Sequence, residues 1–350
     1  MAEEMVRVGW QALQDFTQKI FEGVGMPSKD ARIEAEVLVW ANLRGVDSHG
    51  VQRVAEYVQR AELGYMNTQP NIEIVQESAA TMLVEADHAF GPVVTVFTME
   101  RVIAKARQAG IGWGLIRNTT HQGAMAYYSQ MAARAGMAGL AIVTNPPNMA
   151  PPGARAAATH NSPIALAVPG EQWPELSLDM ATSVAAGGKL EVAKDKGISI
   201  PEEWALDKDG QPTTDPNKAA FLRPAGAYKG YGLALMFECL TSLMVANPLL
   251  APTLHGQDTV PQGTQNSVVA AINIANFTDV EGYKKNVDSL VDGVKGLPMV
   301  NADDEMLLPG EIENRQHKER IVQGIPLPVG TVQKLKDAAA RFGLELPVGL

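Results

Sequence analysis

Residues 47–57 (DSHGVQRVAEY) combine an imidazole, a guanidinium group and a phenol at regular spacing. If a helix begins at Ser48, then His49, Arg53 and Tyr57 are four residues apart and share one face. Such a face suits a small hydroxy or keto carboxylate, because the guanidinium can hold the carboxylate while the imidazole exchanges a proton with the hydroxyl. Ser48, or the aspartate before it, can cap the helix and orient the ring. The alternative is a capped surface helix whose polar residues have no joint role.

A second histidine, His121, follows the apolar run GWGLIR, which we predict to be a strand. We predict that a helix begins after this strand, between Asn118 and His121. Open α/β sheets bind their ligands at the carboxyl ends of strands. His121 is therefore a candidate catalytic residue, and the alternative is a histidine at a helix start that has no catalytic duty.

Two further stretches could hold an anionic or ribose-containing ligand. In LSLDMATS we predict a strand that ends at Asp179, then a helix whose first turn contains Thr182 and Ser183. Free amides there would bind an anion, while Asp179 could bond ribose hydroxyls or orient an imidazole. In RPAGAYKGYGLALM, Lys229 lies between glycines at the start of an apolar helix, where it could meet a phosphate or carboxylate. Helix capping and a flexible loop before a core helix are the corresponding alternatives.

The scaffold for these residues follows from two patterns along the chain. The first 65 or so residues have helical periodicity, whereas short β-rich runs alternate with helical segments from about residue 70 onward, which indicates an α/β fold. The tail after Pro309 is polar and ends in one more helix. We predict an α/β domain over residues 71–311 and a helical domain made from residues 1–70 and 312–350. No G-x-G-x-x-G follows a first strand, because GIGWG lacks the last glycine and precedes a strand, so a Rossmann fold is not expected.

Composition excludes several classes of protein. The 350 residues carry a formal net charge of −10, which argues against a nucleic-acid or anionic-membrane partner. The single cysteine, Cys239, rules out an intramolecular disulfide and a thiolate metal set; we expect a buried, inert thiol and a reducing, cytoplasmic location. The N-terminal residues have no apolar core, so no signal peptide is expected, and Glu238 and Pro248 interrupt the most apolar window. No ligand spacing supports a metal site.

Five motifs occur in the order RGVDSHGVQR, NTTHQGAMAYY, VTNPPNMAPPGA, LDMATS and AYKGYGLALM. Together they resemble the malate/L-lactate dehydrogenase family, whose nicotinamide-binding fold is not Rossmann, and the resemblance covers almost the whole chain. It implies a homodimer in which an α/β/α domain with a mixed sheet holds NAD, with NADP as the other possibility, beside a helical domain. It also implies hydride transfer between nicotinamide and a small 2-hydroxy or 2-keto acid, such as malate, lactate, ureidoglycolate or sulfolactate. A reductase of cyclic imine carboxylates and a dinucleotide-binding protein without turnover remain the alternatives.

The resemblance also assigns roles to individual residues. Ser48, Arg53 and Tyr57 look like substrate-binding residues, and either His49 or His121 is the proton-transfer group. The residues that look like the cofactor side are Asn145, Asp179, Met180, Ala181, Lys229, Gly310 and Glu311. One departure concerns the G-T-N-P stretch of many relatives, which here reads ATHNSP with His160 and Asn161. This change affects the pocket wall or the cofactor groove, so the substrate does not follow from the resemblance.

Overall fold

The computed structural model describes residues 5–173, 175–257, 260–301, 303–347 and 349. Its strands, in chain order, are β1 (Met5–Val8), β2 (Glu73–Glu77), β3 (Thr81–Glu85), β4 (Ile111–Thr119), β5 (Met137–Thr144), β6 (Ile164–Pro169), β7 (Glu175–Met180), β8 (Ala205–Leu206), β9 (Phe221–Leu222), β10 (Gln265–Asn273) and β11 (Ile325–Pro328). Its α-helices are α1 (Trp10–Gly23), α2 (Ser28–Leu43), α3 (Val54–Glu62), α4 (Gly91–Ala109), α5 (Ala126–Arg134), α6 (Gly187–Lys196), α7 (Tyr228–Leu240), α8 (Leu250–Leu254), α9 (Val280–Lys295), α10 (Glu311–Gln323) and α11 (Val329–Ala340).

A seven-stranded sheet in the order β2-β3-β4-β10-β5-β6-β7 forms the centre of the fold. Only β3 and β4 pair in parallel, and the other neighbours, including both partners of the central strand β10, are antiparallel. The sheet is therefore mixed, as expected. Two glycines of β4 let α4 pack closely on it: a Cβ at Gly112 would lie 2.1 Å from the carbonyl oxygen of Val102, and one at Gly114 would lie 2.6 Å from the side chain of Thr98.

The two faces of the sheet differ in how well they are covered. Alternate residues such as Ile116, Val143 and Val269 pack with α2, α4 and α5 in the largest hydrophobic core. Residues of the opposite face, among them Leu115 and Ile142, pack mainly against the side chains of α7 and of the segment that follows it. The second face is thus only partly buried by this chain.

The two ends of the chain meet in a second core. Strands β1 and β11 pair antiparallel, and side chains of α1, α2, α3 and α11 pack around them. Helix α2 contributes to both cores, with Leu38 and Val39 on one side and Val37 and Ala41 on the other. The division of the chain into two domains at residues 70 and 311 stays a prediction. A smaller core joins α6, the β8–β9 ribbon and α7.

Three predicted helix starts are wrong. Instead of one helix from Ser48, two 3₁₀ turns, Asp47–His49 and Val51–Arg53, precede α3, since the Asn42 side chain accepts the Val51 N–H. The helix expected between Asn118 and His121 begins at Ala126, after a loop.

The helix expected after Asp179 begins only at Gly187, and Thr182 and Ser183 lie in the loop before it. The backbone of this loop pairs with other segments: the Thr182 N–H donates to the carbonyl of Asn161, and Ser183 forms a bridge to Pro224. Cys239 was expected to be buried, but its side chain is partly exposed on α7. The start of α7 beside Lys229 is as predicted.

Candidate active site

A cleft of about 780 Å³ lies between the helices of the chain ends and the carboxyl end of β7. Of the residues predicted from sequence, it is lined by Ser48, His49, Arg53, His121, Asn145, Asp179, Ala181 and Gly310. A neighbouring groove of about 510 Å³ is lined by Met180 and shares Ala181, Ala186 and Lys189 with the cleft. The cleft and the groove are therefore adjacent. We call the part around Ser48, His49, Arg53 and His121 the substrate half, and the part around Asn145, Asp179, Ala181 and Gly310 the cofactor half. Tyr57, predicted to bind substrate, does not line the cleft: its side chain is buried and contacts His121.

The two imidazoles of the substrate half lie side by side. The ring centroids of His49 and His121 are 5.4 Å apart, and the ring planes are inclined by 26°. His49 comes from the first 3₁₀ turn and His121 from the loop between β4 and α5, so 72 residues of chain separate two rings that share one site. The two candidate proton-transfer histidines therefore line the same cleft.

Two donors fix the tautomer of His121. The hydroxyl of Tyr57 lies 2.5 Å from His121 Nδ1, and the backbone N–H of Gly123 donates to the same nitrogen at 3.2 Å. Burial raises the pKa of Tyr57 well above its ordinary value, so the phenol keeps its proton. Because both neighbours donate to Nδ1, we assign the proton of the neutral ring to Nε2.

His49 has a different environment. Its Nδ1 lies 2.9 Å from Ser48 Oγ, a hydroxyl that can donate or accept, so either ring nitrogen can carry the proton. Burial, aided by the positive charge of Arg53, lowers the pKa of His49 to about 4. Burial also lowers the pKa of His121 well below its ordinary value, with His49 and Arg53 contributing. Both rings are therefore neutral at neutral pH before an anion enters.

The cations of the substrate half are held by one carboxylate. Arg53 donates through Nε to the carbonyl of Ser48 at 2.8 Å and pairs with Glu56 at 2.9 Å. Arg60, which also lines the cleft, pairs with the other oxygen of Glu56 at 2.8 Å. Two guanidinium groups share one carboxylate, which leaves a net positive charge for an anionic substrate.

The turn that carries His49 is tied to the C-terminal part of the chain. Arg320 of α10 forms a two-nitrogen ion pair with Asp47, at 2.7 and 3.1 Å. Asn42 donates to Asp47 at 2.6 Å and accepts the Val51 N–H at 2.8 Å. These contacts hold both ends of the turn, and with them the imidazole of His49.

In the cofactor half, Asp179 caps a helix. It lies at the end of β7, as predicted, and accepts the N–H of Ala126, the first residue of α5, at 2.8 Å. Burial raises the pKa of Asp179 to about 6. The carboxylate thus serves the scaffold and also faces the cleft, where a ribose hydroxyl could donate to it.

Gly310 and Glu311 have separate roles. Gly310 lines the cleft with φ of 83°, and a Cβ there would lie 2.8 Å from the carbonyl oxygen of Ser177, so only glycine fits without strain. Glu311 does not line the cleft: its carboxylate accepts from Lys295 at 2.7 and 2.8 Å, from the Leu308 N–H at 3.1 Å, and from Arg315. The side chain of Glu311 therefore holds the loop that presents Gly310.

Lys229 lies outside the main cleft. It is exposed in the first turn of α7, beside Gly226 of the neighbouring groove. Met180 also belongs to this groove rather than to the main cleft. A long ligand that occupies both the cleft and the groove would reach these two residues, whereas a small acid in the substrate half would not.

The segment that departs from the family pattern forms one wall of the cleft. His160 and Asn161 both line it, and the Asn145 amide nitrogen lies 3.4 Å from His160 Nδ1. Two hydrogen bonds of 2.9 Å fix this wall: the Asn148 side-chain amide donates to Asn161 Oδ1, and the Asn161 backbone N–H donates to Asn148 Oδ1. Burial lowers the pKa of His160 to about 3, so a third neutral imidazole faces the cleft.

Several lining residues were not predicted from sequence. Lys189 follows two glycines at the start of α6, and Arg44 lies three positions before the DSHG motif, so both had a local signal. Gln265 and Glu313 had none, because β10 and α10 bring them from distant parts of the chain. Among the residues that the structure describes, no group of three histidine, cysteine, aspartate or glutamate side chains could hold a metal ion. Within the same ranges, no helix has both the length and the hydropathy of a membrane span.

The mixed sheet, the paired imidazoles and the elongated cleft fit an oxidoreductase that binds a dinucleotide beside a small acid. The family model of malate/L-lactate dehydrogenase matches residues 8–336. The chain belongs to this family and is an NAD(P)-dependent 2-hydroxyacid dehydrogenase, as the sequence motifs predicted.

Curated relatives and solved structures agree with this assignment. The L-sulfolactate dehydrogenase of Methanocaldococcus jannaschii is 38% identical over 330 residues, which cover 93% of this chain and 94% of that protein. The malate/(S)-sulfolactate dehydrogenase of Methanothermus fervidus is 35% identical, with 94% and 96% covered. The crystal structure of malate dehydrogenase from Entamoeba histolytica superposes with a TM-score of 0.93 at 26% identity, covering 98% of this chain and 100% of that one.

Proposed function

We propose that the chain uses NAD to oxidise a small 2-hydroxy acid that carries a second anionic group, as malate and sulfolactate do, and catalyses the reverse reduction. The observation that carries this proposal is the shared pairing of Arg53 and Arg60 with Glu56 beside two neutral imidazoles. Arg53 would bind the carboxylate next to C2, and Arg60 would meet the second anionic group. The names of the relatives, sulfolactate and malate dehydrogenases, support the same substrate class.

The residues present fit a dinucleotide. The cleft and the groove are adjacent and share Ala181, Ala186 and Lys189, so an extended molecule could lie along both. The close contact with Ser177 requires glycine at position 310. The Gly310 backbone therefore lies at the cleft without a side chain that would block a ligand. When bound, NAD supplies the hydride acceptor at its nicotinamide ring. Asn145, Asp179, Met180, Ala181, Lys229 and Gly310 would contact it, and Glu311 would act by holding the loop.

The tautomers divide the work between the two histidines. His121 carries its proton on Nε2, because Tyr57 and Gly123 donate to Nδ1, so it can donate a hydrogen bond to the substrate oxygen but cannot accept a proton at that atom. His49 can donate from Nδ1 to Ser48 Oγ and leave Nε2 free as a base. We therefore assign proton transfer to His49: it takes the hydroxyl proton as C2 loses hydride and the C–O bond becomes a carbonyl. In the reduction, His49 returns the proton.

The charge of the substrate brings His49 into its working range. Without ligand, its pKa is about 4 because the ring is buried beside Arg53. A carboxylate bound at Arg53 cancels that repulsion and favours the imidazolium form. The base is therefore neutral when substrate arrives and more basic once it is bound. Holding substrate and nicotinamide side by side would contribute further acceleration.

A spectrophotometric assay at 340 nm tests the proposed reaction. Malate, sulfolactate, lactate and ureidoglycolate are supplied with NAD or NADP, and the matching keto acids with the reduced forms. We expect the highest kcat/KM with malate or sulfolactate and NAD. If lactate is turned over as efficiently as both, the second anionic group is not recognised. If no acid of the panel is turned over, the proposal fails. Piperideine-2-carboxylate and pyrroline-2-carboxylate complete the panel, since the cyclic imine reductase is the alternative.

We also propose that the chain is a homodimer, and that it works in the cytoplasm as its single cysteine suggests. The partly covered face of the sheet exposes Leu166 and Ile272, and the α7 region beside it exposes Met236, Leu243 and Met244. A continuous apolar surface of this kind is typical of a subunit interface. Light scattering should give twice the mass of the chain, Met236→Glu should give the mass of one chain, and Leu63→Glu, at an exposed leucine elsewhere, should leave the mass unchanged. A wild-type monomer would contradict the proposal.

A further inference from the structure

The structure contains two almost fully buried arginines near the catalytic turn, and they are stabilised in different ways. Arg320, 8% exposed, forms a two-nitrogen ion pair with Asp47. Arg44, 5% exposed, pairs with no carboxylate among the described residues; one of its nitrogens donates to the amide oxygen of Asn314 at 2.6 Å, and its guanidinium lies 5.1 Å from the centre of the Trp40 ring. A buried cation without a counter-ion is unusual, because removing it from water is costly.

Arg44 lines the cleft. Trp40 lines it too, and the Trp40 ring and Asn314 both contact the guanidinium of Arg44. The nearby acids that most favour the charged form of Arg44 are Glu175, Glu313 and Asp179. Glu175 is paired with Arg134 at 3.1 Å, and Asp179 accepts the Ala126 N–H, so none of these acids neutralises Arg44 by direct contact.

Arg44 belongs to the cofactor half of the cleft. It bonds to Asn314 of α10, four residues after Gly310, and its charged neighbours lie on β7, α5 and α10. The substrate half already has two cations, Arg53 of the second 3₁₀ turn and Arg60 of α3, which suffice for a small acid. The ligand group that remains for Arg44 is a phosphate of the dinucleotide, for which a guanidinium has matching geometry.

We propose that Arg44, held by Trp40 and Asn314, binds a phosphate oxygen of the dinucleotide and supplies the counter-charge in the buried part of the cofactor half. The carboxylates around Arg44 can accept hydrogen bonds from ribose hydroxyls. One side of this region would therefore bind the sugar, and Arg44 would bind the phosphate. The inference rests on the proposed use of a dinucleotide but does not depend on which acid is the substrate.

Equilibrium binding without substrate provides the test. The Kd values of NADH and NADPH are measured by calorimetry or protein fluorescence for wild type, Arg44→Met, Arg44→Lys and the control Arg101→Met. Arg101 also lies over an aromatic ring, that of Phe97, but on α4 and outside the cleft lining. We expect Arg44→Met to raise the Kd about 10- to 100-fold, as loss of a charged hydrogen bond does, Arg44→Lys to lie between, and Arg101→Met to match wild type.

Each pattern of results has a distinct meaning. Equal losses for NADH and NADPH place Arg44 at the diphosphate, and a loss for NADPH alone places it at the 2′-phosphate; both support the inference. Unchanged Kd values for both dinucleotides in Arg44→Met and Arg44→Lys overturn it. The Kd of oxalate, a substrate-like acid, is measured in the same way, and a loss of affinity for oxalate alone also overturns the inference. If wild type itself binds neither dinucleotide, the proposed function fails first. Circular dichroism confirms folding, and Arg44→Lys, which keeps the charge, gives the answer if Arg44→Met does not fold.

Discussion

The two halves of the cleft are built on different principles. In the substrate half, the functional groups bond to one another: Tyr57 to His121, Ser48 to His49, and Glu56 to Arg53. In the cofactor half, the polar groups serve the scaffold first, since Asp179 caps α5 and Glu311 neutralises Lys295. The difference indicates that the substrate half is preorganised for chemistry, while the cofactor half is a shaped surface that a ligand completes.

The strongest way to break this comparison is to remove the base. His49→Asn should lower kcat about 10²- to 10⁴-fold, the usual contribution of a positioned acid or base, while the Kd of NADH stays within about twofold of wild type. His88→Asn is the control, because His88 has φ of 53° and asparagine tolerates this backbone conformation.

His121→Gln separates the two histidine roles. We expect it to impair substrate binding and rate but to leave the acid limb of the pH–rate profile in place, since that limb belongs to His49. If His49→Asn keeps near-wild-type turnover and His121→Gln loses the acid limb, the assignment must be reversed.

A second prediction concerns the cofactor half and has an effect of about one order of magnitude. The pKa of Asp179 is raised to about 6 by burial, with Glu313 raising it further and Arg44 lowering it. If the ionised carboxylate accepts a ribose hydroxyl, the affinity for NADH should fall about tenfold between pH 7 and pH 5, because only about a tenth of the carboxyl is ionised at pH 5. Calorimetry across this range measures the slope.

Asp179→Asn should bind NADH with an affinity that is nearly independent of pH over the same interval. Asp288→Asn is the matched control, because Asp288 also accepts backbone N–H groups, including that of Gln172 at 2.7 Å, but outside the cleft lining. A steep slope that persists in Asp179→Asn would show that another group controls binding.

A smaller effect should follow from the hydroxyl of Tyr57. Tyr57→Phe removes one of the two donors to His121 Nδ1, and the loss of one neutral hydrogen bond corresponds to a rate about 3- to 10-fold lower. Nitrogen NMR should show His121 changing from a single tautomer to a mixture. Tyr128→Phe, which alters an equally buried tyrosine bonded to the carbonyl of Gln122, should leave the tautomer unchanged. A single His121 tautomer in Tyr57→Phe would mean that Gly123 suffices to fix it.

The substrate half was predictable because its residues are close in sequence. His49, Arg53 and Tyr57 lie within nine residues, so any helical or 3₁₀ path directs them toward the same region, even though the predicted helix starts six residues early. His121 was found from its position after a strand, where α/β sheets bind ligands. The α/β class was likewise apparent from alternating strand and helix patterns, whereas the mixed sheet was implied by the family resemblance.

The cofactor half was less predictable because its geometry depends on loops that fold against distant segments. The helix expected after Asp179 starts eight residues later, because the backbone of the intervening loop pairs with Asn161 and Pro224. The acidic side chain of Glu311 lies next to the cleft. Only the fold shows that its carboxylate is already paired with Lys295 and Arg315. Sequence spacing carries no information on such long-range partners.

The last prediction concerns a buried acid behind the substrate half. Glu34 of α2 is fully buried, neither carboxylate oxygen has a hydrogen-bond partner among the described residues, and Tyr57 and Tyr128 are its electrostatic neighbours. Burial raises the pKa of Glu34 well above its ordinary value. Because the folded protein holds this proton more tightly than the unfolded chain, Glu34 lowers stability as the pH rises from its unfolded pKa, about 4.3, toward its folded pKa.

Glu34→Met should therefore raise the free energy of unfolding by about 1–3 kcal/mol at pH 7, the cost of an unsatisfied buried polar group, and should reduce the loss of stability between pH 5 and pH 7. Urea unfolding at both pH values measures this, with Glu191→Met at the exposed surface of α6 as the control. Turnover should change little, since Glu34 touches neither imidazole. A less stable variant with impaired turnover would instead show that the acid supports Tyr57, and the preorganised substrate half would then extend one layer deeper into the core than its hydrogen bonds indicate.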